Sequence, residues 1–161
     1  MGGHILKRIL ILILLFLLIF LNKGSIFASF QGPGECEGQM QAHLQDIFND
    51  RIWIWNNFLL GNLTLEDVED RLKESIGGEL LAEDLKTFED ILKNPTSYET
   101  IEEVTIKKCE LIKKDRDRKI LLTRIQWSIR GFNGLETEEL EYIVHMKRRN
   151  NSWFMNNYLV K

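Results

Sequence analysis

The body of this 161-residue chain is predicted to be an α+β domain in which three helices precede a four-stranded antiparallel sheet. Two patterns predict this order. Before Pro95, apolar residues recur every three or four positions, as on one face of a helix; after it they alternate with polar residues, as in half-buried strands. The predicted strands are joined by short connections, which makes neighbours antiparallel. Since a sheet must cover its apolar face, we expect the helices to pack on one side of a curved sheet.

The first 28 residues are predicted to be a signal peptide or an uncleaved N-terminal membrane anchor. Lys7 and Arg8 precede thirteen unbroken apolar residues, 9–21, and cleavage is expected after Ala28. Thirteen residues are few for a membrane-spanning helix, which needs about 20. Basic residues before the apolar run place the following domain outside the cytoplasm in either case. We therefore expect a secreted or extracytoplasmic protein, with a membrane at its N-terminus if the segment is uncleaved.

Residues 29–38 are rich in glycine and are predicted to be a linker, so the domain covers residues 39–161. The first helix is expected over about residues 39–60. Trp53 and Trp55 lie on it two positions apart, about 200° around the helix, so both cannot share one narrow buried face. Either the other helices cover a wide apolar face, or one of the two tryptophans is exposed as an interface candidate.

Two further amphipathic helices follow. Thr64 and Asp67 form a capping box that starts the second helix, and Gly77-Gly78 ends it. The third helix stops at Asn94-Pro95. Its apolar face is predicted to carry Leu81, Leu85, Phe88 and Leu92. The acidic residues of both helices, including Asp84, are interpreted as solvated side chains.

The strands are separated by predicted turns at 115–117, at Asn133-Gly134 and at Asn150-Asn151. A slip of the alternation at Lys107-Lys108 predicts a β-bulge. Trp127 is expected to pair with Tyr142 on the face that the helices cover.

The polar groups expected on the covered face are ligand-pocket candidates. They could donate hydrogen bonds to a ligand carbonyl or oxyanion, or they are satisfied groups at the core edge. None is a general base at neutral pH, so no catalytic residue is predicted. The candidates are Thr123, Trp127, Tyr142 and Asn157.

The outer face of the sheet offers interface candidates of mixed charge, with Arg124 predicted to pair with His145 and Arg130 with Glu139. Mixed signs suit a two-fold contact between copies, in which an Arg of one meets a Glu of the other. The alternative is a solvated face with cross-strand pairs. Residues 147–149, Lys-Arg-Arg, are turn charges or a weak candidate for anionic lipid.

Net charge and histidine spacing argue against two classes of function, and the two cysteines predict a candidate disulfide. Beyond residue 29 the chain has 18 basic and 24 acidic residues, a formal charge of −6, which argues against nucleic-acid binding. The three scattered histidines have no metal-ligand spacing, and no metal or other cofactor is predicted. Cys36 and Cys109 would both be exported and are a candidate disulfide; alternatively, Cys109 is a small core residue.

Three N-terminal helices, then a long-stranded meander that closes with residues 150–155, Asn-Asn-Ser-Trp-Phe-Met, resemble the nuclear transport factor 2-like (cystatin-like α+β) superfamily over residues 38–161. The resemblance implies a cone-shaped sheet and a homodimer formed through sheets. Such domains serve as enzymes, as ligand-binding or immunity domains, or as interaction modules, including membrane-anchored components of bacterial secretion machines.

The chain departs from the enzymatic pattern, because no Asp–His pair is expected to point into the cone. We therefore expect an exported, non-enzymatic binding or assembly module of the cell envelope or extracellular space. The alternative is a small-molecule-binding or enzymatic domain that uses the cone pocket.

Overall fold

The computed structural model describes residues 34–36, 38–94, 99–131 and 133–161, so the predicted signal peptide or anchor lies outside the described residues. The elements are β1 (Gly34–Glu35), α1 (Gly38–Leu59), α2 (Leu65–Leu72), α3 (Gly78–Lys93), β2 (Thr100–Lys114), β3 (Arg118–Gly131), β4 (Gly134–Arg149) and β5 (Ser152–Val160). The strands form one antiparallel sheet in the order β1-β2-β3-β4-β5. The predicted α+β class, with three helices before an antiparallel sheet, is confirmed. The two-residue β1 falls within the segment predicted to be linker.

The helix boundaries follow from local chemistry. The predicted capping box starts α2: the backbone N–H of Thr64 donates to Asp67 Oδ2 at 2.8 Å, and the backbone N–H of Asp67 donates to Thr64 Oγ1 at 3.2 Å. The buried face of helix α3 is shifted by about one residue from the predicted one. Its buried residues are Leu80, Asp84, Phe88 and Ile91, whereas Leu92 is exposed.

The turns and bulges set the register of the sheet. Asn150 and Asn151 have φ angles of 49° and 66°, as a tight hairpin turn requires, and the bulge predicted near Lys107 is present. Between β3 and β4, however, the predicted pairing of Trp127 with Tyr142 is wrong by four residues. Gly131 pairs with Gly134, so the hairpin closes earlier than predicted and Trp127 lies opposite Glu138. Because the shift is even, every residue keeps its predicted face.

The core lies between the helices and one face of the sheet. Helix α1 contributes residues such as Leu44 and Phe48, and the sheet contributes Leu121, Val144 and Met155. Residues 75–77 add to the free edge of β5, where the Met155 N–H donates to the Ser75 carbonyl at 3.1 Å. Among the described residues, no helix has both the length and the apolar composition that a membrane span requires.

Candidate functional site

A buried ion pair joins α1 to α3 in the interior of the domain. Arg51 Nε donates to Asp84 Oδ2 at 2.9 Å, and Arg51 Nη2 donates to Asp84 Oδ1 at 2.8 Å. The two residues are only 7 % and 6 % exposed. The interpretation of Asp84 as a solvated acid is therefore wrong. A sequence signal did exist: Arg51 lies three and four positions from Phe48, Ile47 and Trp55 on the apolar face of α1, where a charge needs a buried partner.

In both residues of this pair, burial and the charge of the partner shift the pKa in opposite directions. Burial raises the pKa of the Asp84 carboxyl, and the Arg51 guanidinium opposes that rise. Burial alone would lower the pKa of Arg51, but the charge of Asp84 and its hydrogen bonds outweigh it, so the pKa of Arg51 is raised. The ring of Tyr158 lies 5.0 Å from the Arg51 guanidinium carbon, and burial raises the pKa of the Tyr158 phenol. Both carboxylate oxygens of Asp84 thus accept charge-assisted hydrogen bonds from Arg51.

Three of the four predicted pocket residues lie together beside this pair. Trp127 Nε1 donates to the Tyr142 hydroxyl at 3.0 Å, and Thr123 Oγ1 donates to the Tyr142 carbonyl at 3.4 Å. Burial raises the pKa of the Tyr142 phenol, which therefore stays neutral at physiological pH. These residues form a satisfied hydrogen-bonded group at the edge of the core.

Asn157, the fourth pocket candidate, does not lie with the others. It pairs with His145, whereas its neighbour Tyr158 pairs with the core residue Val144. The reason is a bulge at Asn156, which reverses the alternation of β5 between Met155 and Asn157. Asn157 therefore shares the outer face with His145, and its prediction as a pocket residue is corrected.

A small cavity lies between α1, α3 and the sheet, next to the ion pair. Its volume is about 30 Å³, which is room for one or two water molecules. Pockets for small molecules are usually on the order of 300–1,000 Å³. Aromatic rings occupy the space instead: Phe48 packs edge-on against both Trp127 and Tyr158, with ring centroids 5.7 Å apart in each case. The cavity is lined by Phe48, Arg51, Ile52, Trp55, Leu72, Asp84, Phe88, Ile101 and Trp127.

The charged interface candidates lie on the outer face, but with partners other than those predicted. Arg124 lies opposite Glu141, its Nη2 donates to Glu141 Oε1 at 3.1 Å, and its Nε lies 3.6 Å from Glu139 Oε1. Arg130 donates to Glu102 on β2 at 2.5 Å, not to Glu139. The pairs Arg124–His145 and Arg130–Glu139 are corrected, because the hairpin closes earlier than predicted.

The outer face also carries an apolar row that the sequence analysis missed. Leu122, Ile143 and Leu159 lie opposite one another across β3, β4 and β5, and Ile120 lies opposite His145 in the next row. All are half-buried, and no described element packs on this side. The signal was available, since each strand has consecutive apolar residues here, which indicates that both faces are partly apolar.

The two tryptophans of α1 have separate environments. Trp53 is 46 % exposed and lies under Arg71, whose guanidinium carbon is 4.6 Å from its ring centroid. Trp55 is only 4 % exposed, and its Nε1 donates to the Glu99 carbonyl at 3.1 Å. Of these two interface candidates, only Trp53 offers a surface.

Amide side chains of α1 cover the free edge of β2. Gln45 donates to the Val104 carbonyl at 2.8 Å and accepts from the Ile106 N–H at 2.9 Å. Asn56 donates to the Ile101 carbonyl at 2.7 Å and accepts from the Ile101 N–H at 3.0 Å. Each amide thus replaces a neighbouring strand, and the edge is closed to pairing with another chain. No sequence pattern indicated this role, because a polar residue on a helix is usually solvated.

Cys36 and Cys109 form a disulfide, with their Cα atoms 5.3 Å apart, which fits an oxidising compartment. His43, on α1, hydrogen-bonds the Trp153 carbonyl at 2.7 Å. Within the residues that the structure describes, no group of three or more His, Cys, Asp or Glu side chains is placed to hold a metal ion.

No model of a known protein family matches this chain, and no curated protein matches it. Among solved structures, the chain is similar to the intermembrane-space region of the chloroplast protein ARC6, with a TM-score of 0.47 and 8 % identity. The match covers 74 % of this chain and 95 % of that chain. A similarity this weak carries no argument about fold or function, and the resemblance to the nuclear transport factor 2-like superfamily stays a prediction.

Proposed function

We propose that this chain is an exported, non-enzymatic binding or assembly module with a nuclear transport factor 2-like cone, which pairs with a second copy through the outer face of its sheet. The observation that carries the proposal is the apolar row of Leu122, Ile143 and Leu159, which no described element covers. The charges beside it suit a two-fold contact, because Arg124 of one copy can meet Glu139 or Glu141 of the other.

The interior supports this proposal better than an enzymatic one. A buried aspartate beside a cavity is the feature that would favour catalysis. Both oxygens of Asp84, however, accept hydrogen bonds from Arg51, and the cavity has room for one or two waters. The cavity beside Asp84 is too small for a substrate, so a binding surface on the exterior is the better-supported use of the fold.

A matched pair of substitutions tests the dimer. Ile143→Glu places a charge in the apolar row, and Leu92→Glu makes the same kind of change on an exposed residue of α3. Light scattering should give a dimer mass for the wild type and for Leu92→Glu, and half that mass for Ile143→Glu, with circular dichroism confirming that each variant is folded. A wild type that is monomeric at high concentration would exclude this surface as a dimer contact and leave Trp53 as the better candidate.

Export rests on the N-terminal segment and is supported by the disulfide. N-terminal sequencing of the protein from its native source should find a chain that begins after Ala28, or an intact Met1 on a membrane-bound protein. An intact chain in the cytosol would refute export in both forms.

A further inference from the structure

One end of the sheet is strongly basic although the domain as a whole is acidic. The β2–β3 and β4–β5 turns meet there: Arg118 lies opposite Lys147, and the Arg148 N–H donates to the Asp117 carbonyl at 2.8 Å. The basic end consists of seven exposed cations, Lys113, Lys114, Arg116, Arg118, Lys147, Arg148 and Arg149, against Asp115 and Asp117.

The acidic residues are concentrated elsewhere. The opposite end of the sheet carries Glu99, Glu102, Glu103, Glu136, Glu138 and Glu139, and helix α3 is rich in exposed acids, whereas the C-terminal end of α2 lies against the basic end, with Arg149 Nη2 3.5 Å from the Lys73 carbonyl. This separation of charge orients the domain near any negatively charged surface, because the basic end is attracted while the rest is repelled.

The chain enters the domain at this same end. Strand β1 is antiparallel to β2, with Gly34 opposite Leu111, so the N-terminal end of β1 points to the end of the sheet that carries Lys113. The Cys36–Cys109 disulfide fixes β1 in this position. Five residues separate Ala28 from Gly34, and an extended chain of that length spans on the order of 20 Å. An N-terminal segment held in a bilayer therefore keeps the basic end close to the lipid surface.

We propose that the basic end docks on the headgroups of an anionic lipid bilayer, with the acidic end directed away from the membrane. The inference deepens the proposed function and rests on its membrane-associated form. Arg118 and Lys147 are the next outer-face pair beyond Ile120 and His145, so the docking surface borders the apolar row but does not include it.

Lysine acetylation of the full-length chain in nanodiscs tests this docking. Discs of phosphatidylcholine are compared with discs that also contain phosphatidylglycerol, and the acetylation rate of each lysine is measured by mass spectrometry. Lys113, Lys114 and Lys147 should react more slowly in the anionic discs, and the difference should vanish at high salt, because screening shortens the reach of the charges. Lys86 and Lys93 on α3 should react equally in both discs.

Two charge-matched variants provide the control. Arg116→Gln with Lys147→Gln removes two cations from the basic end, and Lys86→Gln with Lys93→Gln removes two from α3. Each basic residue near an anionic membrane contributes about a fivefold change in affinity, so the first variant should weaken docking roughly 25-fold and the second should leave it unchanged. Circular dichroism checks folding, and the unmodified chain already gives the main comparison without any substitution.

Three results would overturn the proposal. One is equal acetylation of the basic end in neutral and anionic discs. The second is protection by soluble polyphosphate but not by anionic lipid, which would indicate a free phosphate ligand. The third is protection by duplex DNA alone, which would indicate a nucleic acid. None of these results bears on the dimer mass or on the N-terminal sequence of the native protein, so failure of docking and failure of the proposed function remain distinguishable.

Discussion

The buried ion pair gives a quantitative prediction. Replacing one partner, by Arg51→Met or by Asp84→Leu, leaves the other charge buried without a counterion. The double variant, Arg51→Met with Asp84→Leu, removes both charges and keeps much of the apolar volume. We expect each single variant to be strongly destabilised and the double variant to be much closer to wild type.

The magnitude follows from the geometry. The pair makes two charge-assisted hydrogen bonds, at 2.8 and 2.9 Å, between groups less than a tenth exposed. Removing one partner of a buried ion pair lowers the free energy of unfolding by about 3–5 kcal/mol. Replacing both partners by apolar residues is often neutral or stabilising. Domains of this size are stable by about 5–15 kcal/mol, so each single variant should lose a large fraction of its free energy of unfolding.

Urea unfolding followed by tryptophan fluorescence measures these changes, because Trp55 and Trp127 both line the cavity beside the pair. Asp84→Asn serves as the isosteric control and should fall between wild type and Asp84→Leu. A double variant as unstable as either single variant, or single variants within about 1 kcal/mol of wild type, would refute the assignment of this pair as a coupled, buried interaction.

Three further outcomes are expected. Gln45→Leu with Asn56→Leu leaves backbone groups of the β2 edge unpaired and should cause association beyond the wild-type mass in light scattering; unchanged scattering would contradict the edge cover. Cys36→Ser with Cys109→Ser opens a loop of 73 residues and should cost about 4 kcal/mol in urea unfolding, and a loss below about 1 kcal/mol would argue against it. Burial lowers the pKa of His145 from 6.5, so the unfolded chain takes up the proton first and stability should fall as pH drops below about 6.5; His145→Asn should flatten that dependence.

The periodic part of the fold was predictable from the sequence. Each helix covers one side of a core with residues at a spacing of three or four, and the Thr64 capping box marks a boundary by its own chemistry. The strand turns were predictable where the local residues require an unusual backbone, as at Asn150-Asn151. These features depend on interactions within a few residues, which a single sequence displays directly.

Features that depend on distant partners were not predictable in the same way. The bulge at Asn156 changes the face of Asn157, and nothing in the local alternation of β5 marks it. Asp84 and Gln45 look like solvated helix residues until Arg51 and the edge of β2 are placed beside them. Thr123, Trp127 and Tyr142 share one face of the sheet because they lie on strands whose alternation is regular, and their role as ligand-pocket residues stays a prediction.

The amide cover of the β2 edge has a consequence for the order of synthesis. Helix α1 precedes β2 in the chain, and its contacts with the edge are made by side chains such as Gln45 and Asn56. Because synthesis starts at the N-terminus, the α1 side chains that cover the edge are made before β2 itself. The groups that satisfy the β2 edge belong to the same chain and precede it, so that edge needs no second copy as a partner.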